Sequence, residues 1–159
     1  MASDIFIKIG DIKGESTDDR HKDQIASQGW AWGVSATAGP SSGGGGGAGK
    51  TTFLDLTFTH SYDKASPLLM KACATGQHLP EAVLTERKSG ERQADFLTIK
   101  MTDVVVTSVS PASFADGQIR ESVALRFAKV ELSYSAQKSD GSLEAPTQFR
   151  YDIAANRPL

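Results

Sequence analysis

Residues 122–134 read Ser-Val-Ala-Leu-Arg-Phe-Ala-Lys-Val-Glu-Leu-Ser-Tyr, an alternation of apolar and polar side chains that is typical of a half-buried β-strand. The apolar residues stand at odd-numbered positions first and at even-numbered positions afterwards. They are Val123, Leu125 and Phe127, followed by Val130, Leu132 and Tyr134. Because a strand keeps one face buried only while its alternation is constant, the pattern predicts one extra residue, a β-bulge near Phe127–Lys129. A sheet bent in this way is consistent with closure into a barrel, which removes exposed strand edges.

Strand-like segments recur on both sides of this stretch and are separated by turn residues. They lie near residues 5–9, 30–38, 54–59, 83–87, 96–109 and 149–153. Turns are predicted at Gly10, Ser89-Gly90, Asp116-Gly117 and Asp140-Gly141. Residues 11–28 are polar and are predicted to form a solvated loop. About seven closely spaced strands predict a mainly β fold, an antiparallel β-barrel of two curved sheets.

One short α-helix is predicted to pack against this barrel. Ser66 is a good N-cap, Pro67 suits the first helical position, and Gly76 is placed to end the helix. Between them Leu69 and Ala72 share a face with Cys73. We therefore interpret Cys73 as a buried structural thiol rather than a nucleophile.

The composition indicates one globular domain over residues 1–159, with 39% hydrophobic and 23% charged residues. The net charge is -2 and the basic residues are scattered, which argues against a nucleic-acid partner. A single cysteine excludes an intrachain disulfide. The N-terminus lacks the basic and apolar regions of a signal peptide, and no apolar stretch approaches the roughly 20 residues of a membrane helix. We expect synthesis in the cytoplasm, no membrane insertion, and no cleaved leader.

A glycine-rich segment interrupts the strands at residues 39–50, which read Gly-Pro-Ser-Ser-Gly-Gly-Gly-Gly-Gly-Ala-Gly-Lys. Glycine loses the most conformational entropy on ordering, so a mobile loop is predicted here in the isolated subunit. Residues 44–51 also match the phosphate-loop pattern G-x-x-x-x-G-K-[ST]. That loop works between a buried strand and a helix N-terminus, whereas residues 53–59 alternate like a strand. A P-loop nucleotide enzyme is therefore disfavoured, and a contact loop is preferred.

No constellation of catalytic or ligand residues stands out in the sequence. His21, His60 and His78 lack metal-ligand spacing, so structural roles are expected for all three. Neither a G-x-S-x-G elbow nor an H-E-x-x-H motif is present. A glycosidase remains open in principle, since its two carboxylates can be distant in sequence, but nothing indicates one. We predict no enzyme activity, no cofactor and no metal.

Trp30 and Trp32 share one face of the predicted strand at residues 30–38, and Ala31 points to the other. Two aromatic side chains on one face could stack on a sugar or a single-stranded nucleic acid. Same-face aromatic residues on a strand more often belong to the core. We adopt the core interpretation, which turns Ala31 away from the core.

Several segments together resemble the hemolysin-coregulated protein family. They are residues 4–16, the Trp-Ala-Trp-Gly at 30–33, the glycine-rich residues 43–50, the helix at 64–73 with its exit at 76–78, and the late strand at 125–130. None is specific alone, but their order and combination are. Residues 111–117 and 141–146 depart from the family pattern.

The resemblance implies a structural subunit of the inner tube of a type VI secretion system. Family members form six-membered rings that stack into a tube, which a contractile sheath drives outward behind a spike. Small effector proteins travel in the channel, where the strand that carries Ala31 lines the wall. Besides other copies of itself, the chain would therefore meet sheath, spike and effector proteins, and it would be secreted on firing.

The glycine-rich loop is then predicted to contact the adjacent ring, because ordering on docking gives a contact that forms and breaks reversibly. The residues assigned to this ring-stacking loop are Pro40, Gly43, Gly44, Gly45, Gly46, Gly47, Gly49 and Lys50. Lys50 would supply a charged contact at its base. The alternative is a small secreted β-sandwich that acts as a binding module without a ring.

Overall fold

The computed structural model describes residues 2–37, 51–90 and 92–159, which form eleven β-strands and one α-helix. The elements in chain order are β1 (Ser3–Ile9), β2 (Ile25–Ser27), β3 (Gly29–Ala31), β4 (Val34–Ala36), β5 (Thr51–Phe53), β6 (Leu56–Ser61), α1 (Ser66–Thr75), β7 (His78–Lys88), β8 (Asp95–Ser113), β9 (Ile119–Tyr134), β10 (Thr147–Asp152) and β11 (Arg157–Pro158). The predicted mainly β fold with one helix is confirmed.

The strands form one large antiparallel sheet and a separate two-stranded ribbon. The sheet runs β11-β10-β9-β8-β7-β1-β2, and β6 pairs with the first half of β9 and with β3. The ribbon consists of β4 and β5. The predicted closure into a barrel is not found in the described residues, where β2, β3 and β11 lie at edges of the sheet. The chain instead passes directly from β2 to β3, and the Gln28 N–H donates to the Thr59 carbonyl at 2.8 Å across the gap.

The long strands β8 and β9 both switch the buried face near their middle, as the alternation in residues 122–134 predicts. In β9 Phe127 and Val130 are both buried, and in β8 the same change occurs between Met101 and Val104. The pairing register is the same on both sides, since Thr102 pairs with Lys129 and Val104 with Phe127. Asp103 between them has a positive φ of 56°.

The prediction of a β-bulge near Phe127–Lys129 is therefore wrong, although the change of buried face that led to it is present. Because both strands switch face together, neither needs an extra residue at that level. The register shift between β8 and β9 lies instead between Val106 and Ser108, which leaves Thr107 unpaired. The Thr107 hydroxyl donates to the Asp55 carboxylate at 2.7 Å, so the displaced residue still finds a hydrogen-bond partner.

Two predicted segments differ from the structure because strand pairing overrides the local pattern. The polar segment 11–28 contains β2, in which the buried Ile25 pairs with Ile7 of β1. The predicted strand 30–38 is divided after Ala31, because β3 pairs with β6 whereas β4 pairs with β5.

The helix α1 ends as predicted and begins slightly differently. Gly76 adopts the left-handed conformation, with φ at 63°, and its N–H bonds to carbonyls of the last turn. The residue before the first helical position is Ala65, not Ser66, and no side chain caps this end. The Ser66 hydroxyl accepts the Asp63 N–H at 3.1 Å, so it stabilises the preceding turn instead. Leu69 and Ala72 are buried, and Cys73 packs half-buried against the core.

Candidate functional surface

The residue opposite the tryptophans belongs to an outward sheet face built of small side chains. Ala31 pairs with Thr57 of β6, which pairs with Ala124 of β9, which pairs with Ser108 of β8. The next cross-strand row consists of Gly29, Thr59, Ser122 and Ser110. These eight residues, named here the small-residue face, carry no charge and no large side chain, and all except the buried Ala124 are exposed or half-buried. One row further, Arg120 ends the face.

Trp30 and Trp32 lie on the inward side and pack half-buried against the hydrophobic core. The Trp30 indole N–H donates to a Glu86 carboxylate oxygen at 2.9 Å, and the Trp32 indole N–H donates to the Leu54 carbonyl at 2.9 Å. The core interpretation of this pair is confirmed. Ala31 is exposed, as a period-two strand requires when its neighbours face inward.

The glycine-rich segment itself lies outside the described residues, including Pro40, Gly43, Gly44, Gly45, Gly46, Gly47, Gly49 and Lys50. The structure does describe the two strands that flank this segment, β4 and β5, which form its base. Ala36 of β4 pairs with Thr51 of β5, so the described residues that flank the segment lie side by side in the ribbon. Thr51 begins a strand, and β6 follows it before α1 begins at Ser66. A phosphate loop needs a helix at this point, so residues 44–51 lack the structural context of that motif.

The three histidines occupy separate environments. His21 stacks on the Phe6 ring with 4.4 Å between ring centroids, and His78 is exposed and contacts Asp103 at 2.9 Å. His60 is fully buried and contacts Glu121. Among the residues that the structure describes, no group of three His, Cys, Asp or Glu side chains could hold a metal ion.

A buried arginine that the sequence did not indicate fixes the long loop after β1. Arg87 is 3% exposed and donates to both carboxylate oxygens of Asp18, at 3.0 and 2.6 Å, and to Asp4 at 3.3 Å. Hydrogen bonds from Arg87 lower the pKa of Asp18 from 3.8 to about 2. A carboxylate with a lowered pKa contributes stability above its unfolded pKa of 3.8 and loses that contribution as the pH falls towards 2.

Comparisons with known proteins give a consistent result. The family model described as "Type VI secretion system effector, Hcp" matches residues 6–134. The protein hcp1 of Pseudomonas aeruginosa is 45% identical over 98% of both chains. The chain belongs to the Hcp family. The crystal structure of Hcp1 from Salmonella typhimurium is 37% identical, covers 100% of both chains and has a TM-score of 0.78. Another solved type six secretion system protein is 29% identical over 98% of this chain and 99% of its own, with a TM-score of 0.91.

Membership of the Hcp family assigns the chain to the secreted tube proteins of type VI secretion, a structural family. The resemblance seen in the sequence is thereby confirmed. The matched region extends from Phe6 in β1 to Tyr134 at the end of β9, so it contains both the small-residue face and the ribbon. None of the helices in the described ranges is long and apolar enough to span a membrane.

Proposed function

We propose that this Hcp protein forms six-membered rings that stack into the inner tube of a type VI secretion system and carry small effector proteins in their channel. Sheath and spike proteins of the same system would be its further partners. It would reside in the cytoplasm before firing and leave the cell without a cleaved signal peptide. The observation that carries this proposal is the 45% identity with the Pseudomonas aeruginosa hcp1 protein over 98% of both chains.

The small-residue face supports the assignment of Ala31 to the channel wall. A channel that passes different cargo proteins should hold each one weakly, because strong retention would prevent release. Contiguous apolar patches and concentrated charge both bind strongly, and the eight residues of this face offer neither. The hydroxyl groups of the serines and threonines in this face offer only short-range contacts to a protein that lies against it.

We predict that the purified protein is a closed homohexamer. Cyclic rings use heterologous interfaces, in which one edge of a subunit meets a different edge of the next, and a net charge of -2 gives little self-repulsion. Native mass spectrometry should show six copies, and electron microscopy should show rings with open centres. A monomer at tens of micromolar would instead support the alternative of a small secreted binding module.

We predict that Ala31→Gln keeps the fold and the ring but reduces cargo retention. The exposed Ala31 side chain projects from the small-residue face, so a glutamine there enters solvent and interrupts the flat contact surface. The measurement is the amount of effector that co-purifies with wild-type and variant rings. Ala74→Gln, at an alanine on α1 that is also exposed, is the matched control and should retain cargo normally. Equal retention by both variants would remove Ala31 from the channel wall.

A further inference from the structure

A buried histidine lies between two carboxylates where β6 leads into α1. His60 of β6 is directly opposite Glu121 of β9, and both side chains are 0% exposed. The Nε2 atom of His60 lies 2.8 Å from Glu121 Oε1. On the other side of the ring, Nδ1 lies 3.8 Å from Asp63 Oδ2, three residues further along the chain. The imidazole therefore faces a carboxylate at each nitrogen.

Two polar atoms of this group are buried without a hydrogen-bond partner among the described residues. They are His60 Nδ1 and Glu121 Oε2. Folded proteins rarely leave such atoms unsatisfied, and each exception needs an explanation. Nδ1 faces Asp63 across 3.8 Å, which is too long for a hydrogen bond.

Asp63 and a further carboxylate, Glu15, hold the connection between β6 and α1. Asp63 Oδ1 accepts the Ala65 N–H at 2.9 Å, immediately before the helix begins. Glu15, from the loop after β1, accepts the Lys64 N–H at 2.8 Å. The position of the first turn of α1 thus depends on carboxylates from two separate parts of the chain.

The group carries more negative than positive charge. Glu15, Asp63 and Glu121 are three carboxylates, and His60 can supply one positive charge. Lys64 is exposed, the first turn of α1 has no acidic side chain, and Arg120 on β9 pairs with Asp116. Burial raises the pKa of Asp63 above its ordinary 3.8, and the charges of Glu15 and Glu121 raise it further, against opposing contributions from His60 and the Ala65 N–H.

We propose that Glu15, His60, Asp63 and Glu121 form a proton-binding latch, which takes up one proton on acidification and then holds the β6–α1 connection more firmly. The proton comes from solvent and binds the Asp63 carboxylate facing His60. It removes the negative charge of the half-buried Asp63 carboxylate, and it reduces repulsion among the three carboxylates. The latch therefore adds stability to the subunit at acidic pH.

The sign of the effect follows from proton linkage. The folded protein binds the proton at a higher pH than the unfolded chain does, since the pKa of Asp63 is raised by folding. Its contribution to stability is therefore complete below pH 3.8 and is lost as the pH rises through the folded pKa. This sign is opposite to that of Asp18, whose carboxylate stabilises the fold only while it is ionised.

The direct test is an NMR titration of the Asp63 side-chain carboxyl carbon in the full chain. The expected midpoint lies above 3.8, and Glu15→Gln should move it to lower pH by removing a negative neighbour while retaining an acceptor for the Lys64 N–H. Asp11→Asn, which neutralises an exposed carboxylate elsewhere, should leave the midpoint unchanged. A midpoint at or below 3.8, or one that ignores Glu15→Gln, would overturn the proposal.

The dependence of stability on pH provides an independent test. Asp63→Asn retains an oxygen that can accept the Ala65 N–H but has no proton to gain. Urea unfolding from pH 7.5 down to pH 4 should show the wild type gaining stability relative to this variant as the pH falls. Parallel curves would contradict the latch. Both readouts concern the folded subunit, so they hold whether or not the protein assembles into rings.

Discussion

Glu121→Leu should lower the free energy of unfolding by about 1–3 kcal/mol, the usual cost of leaving a buried hydrogen-bonding group without its partner. Glu121 is the only hydrogen-bond partner of the His60 side chain among the described residues, and the 2.8 Å bond joins two side chains that are both 0% exposed. The leucine leaves His60 buried without a partner at Nε2. A loss of this size is a large part of the roughly 5–15 kcal/mol that stabilises a typical domain. Urea unfolding at fixed protein concentration measures it.

The second variant, His60→Leu in the Glu121→Leu background, should recover most of the loss. Two apolar side chains in place of a buried polar pair leave no unsatisfied atom between β6 and β9. The matched control is Glu131→Leu, which breaks an exposed ion pair with Arg150 that is equally short at 2.7 Å. Exposed pairs contribute about 0–1 kcal/mol, so this control should change little. If Glu121→Leu is no worse than the control, burial does not determine the strength of the His60 contact.

Elements with a complete local pattern could be predicted from sequence. The alternation in residues 54–59 predicts β6, and the Ser89-Gly90 turn between two apolar runs predicts the β7–β8 hairpin. Gly76 ends α1 because a left-handed residue is needed there, a requirement that one glycine reveals. Each of these signals lies within a few residues of the structure that it specifies.

Features that depend on pairing between distant segments could not be predicted. β2 contains one large apolar residue, Ile25, and becomes a strand only because β1 offers it an edge. The face switch in β9 was visible, but its cause required knowing that Val104 pairs with Phe127 and that β8 switches too. Closure of a sheet is likewise a property of its two edges, which no single segment encodes.

The functional surface likewise combines features that a local sequence pattern predicts with features that depend on distant segments. Exposure of Ala31 follows from period-two alternation beside Trp30 and Trp32, so a local argument was sufficient. The small-residue face joins strands far apart in the chain, and the latch joins His60 to a glutamate 61 residues away. Arg87 finds Asp18 across 69 residues. The sequence around His60 and around Arg87 does not distinguish either of them from an ordinary polar residue of a strand or loop.

Removal of Gly43–Gly47 should leave the ring nearly intact and strongly reduce tube formation and secretion. The base of this segment is the β4–β5 ribbon, which is not paired with the large sheet, so shortening the segment does not touch the sheet. The remaining residues 37–42 and 48–50 exceed the about two to five that a hairpin loop needs, so Ala36 and Thr51 can still pair.

The expected loss of stacking rests on the energetics of a glycine-rich contact. Ordering each residue costs roughly 1–2 kcal/mol, which keeps a docked loop readily reversible, and glycine admits positive φ and close approach by a neighbouring chain. The variant with Gly44→Ser and Gly46→Ser keeps the length and much of this freedom, so it is the matched control and should still form tubes. Tubes are counted by electron microscopy, and secretion is measured by the amount of protein outside the cell. Wild-type tube assembly after the deletion, or loss of the ring itself, would show that residues 40–50 are not the stacking element.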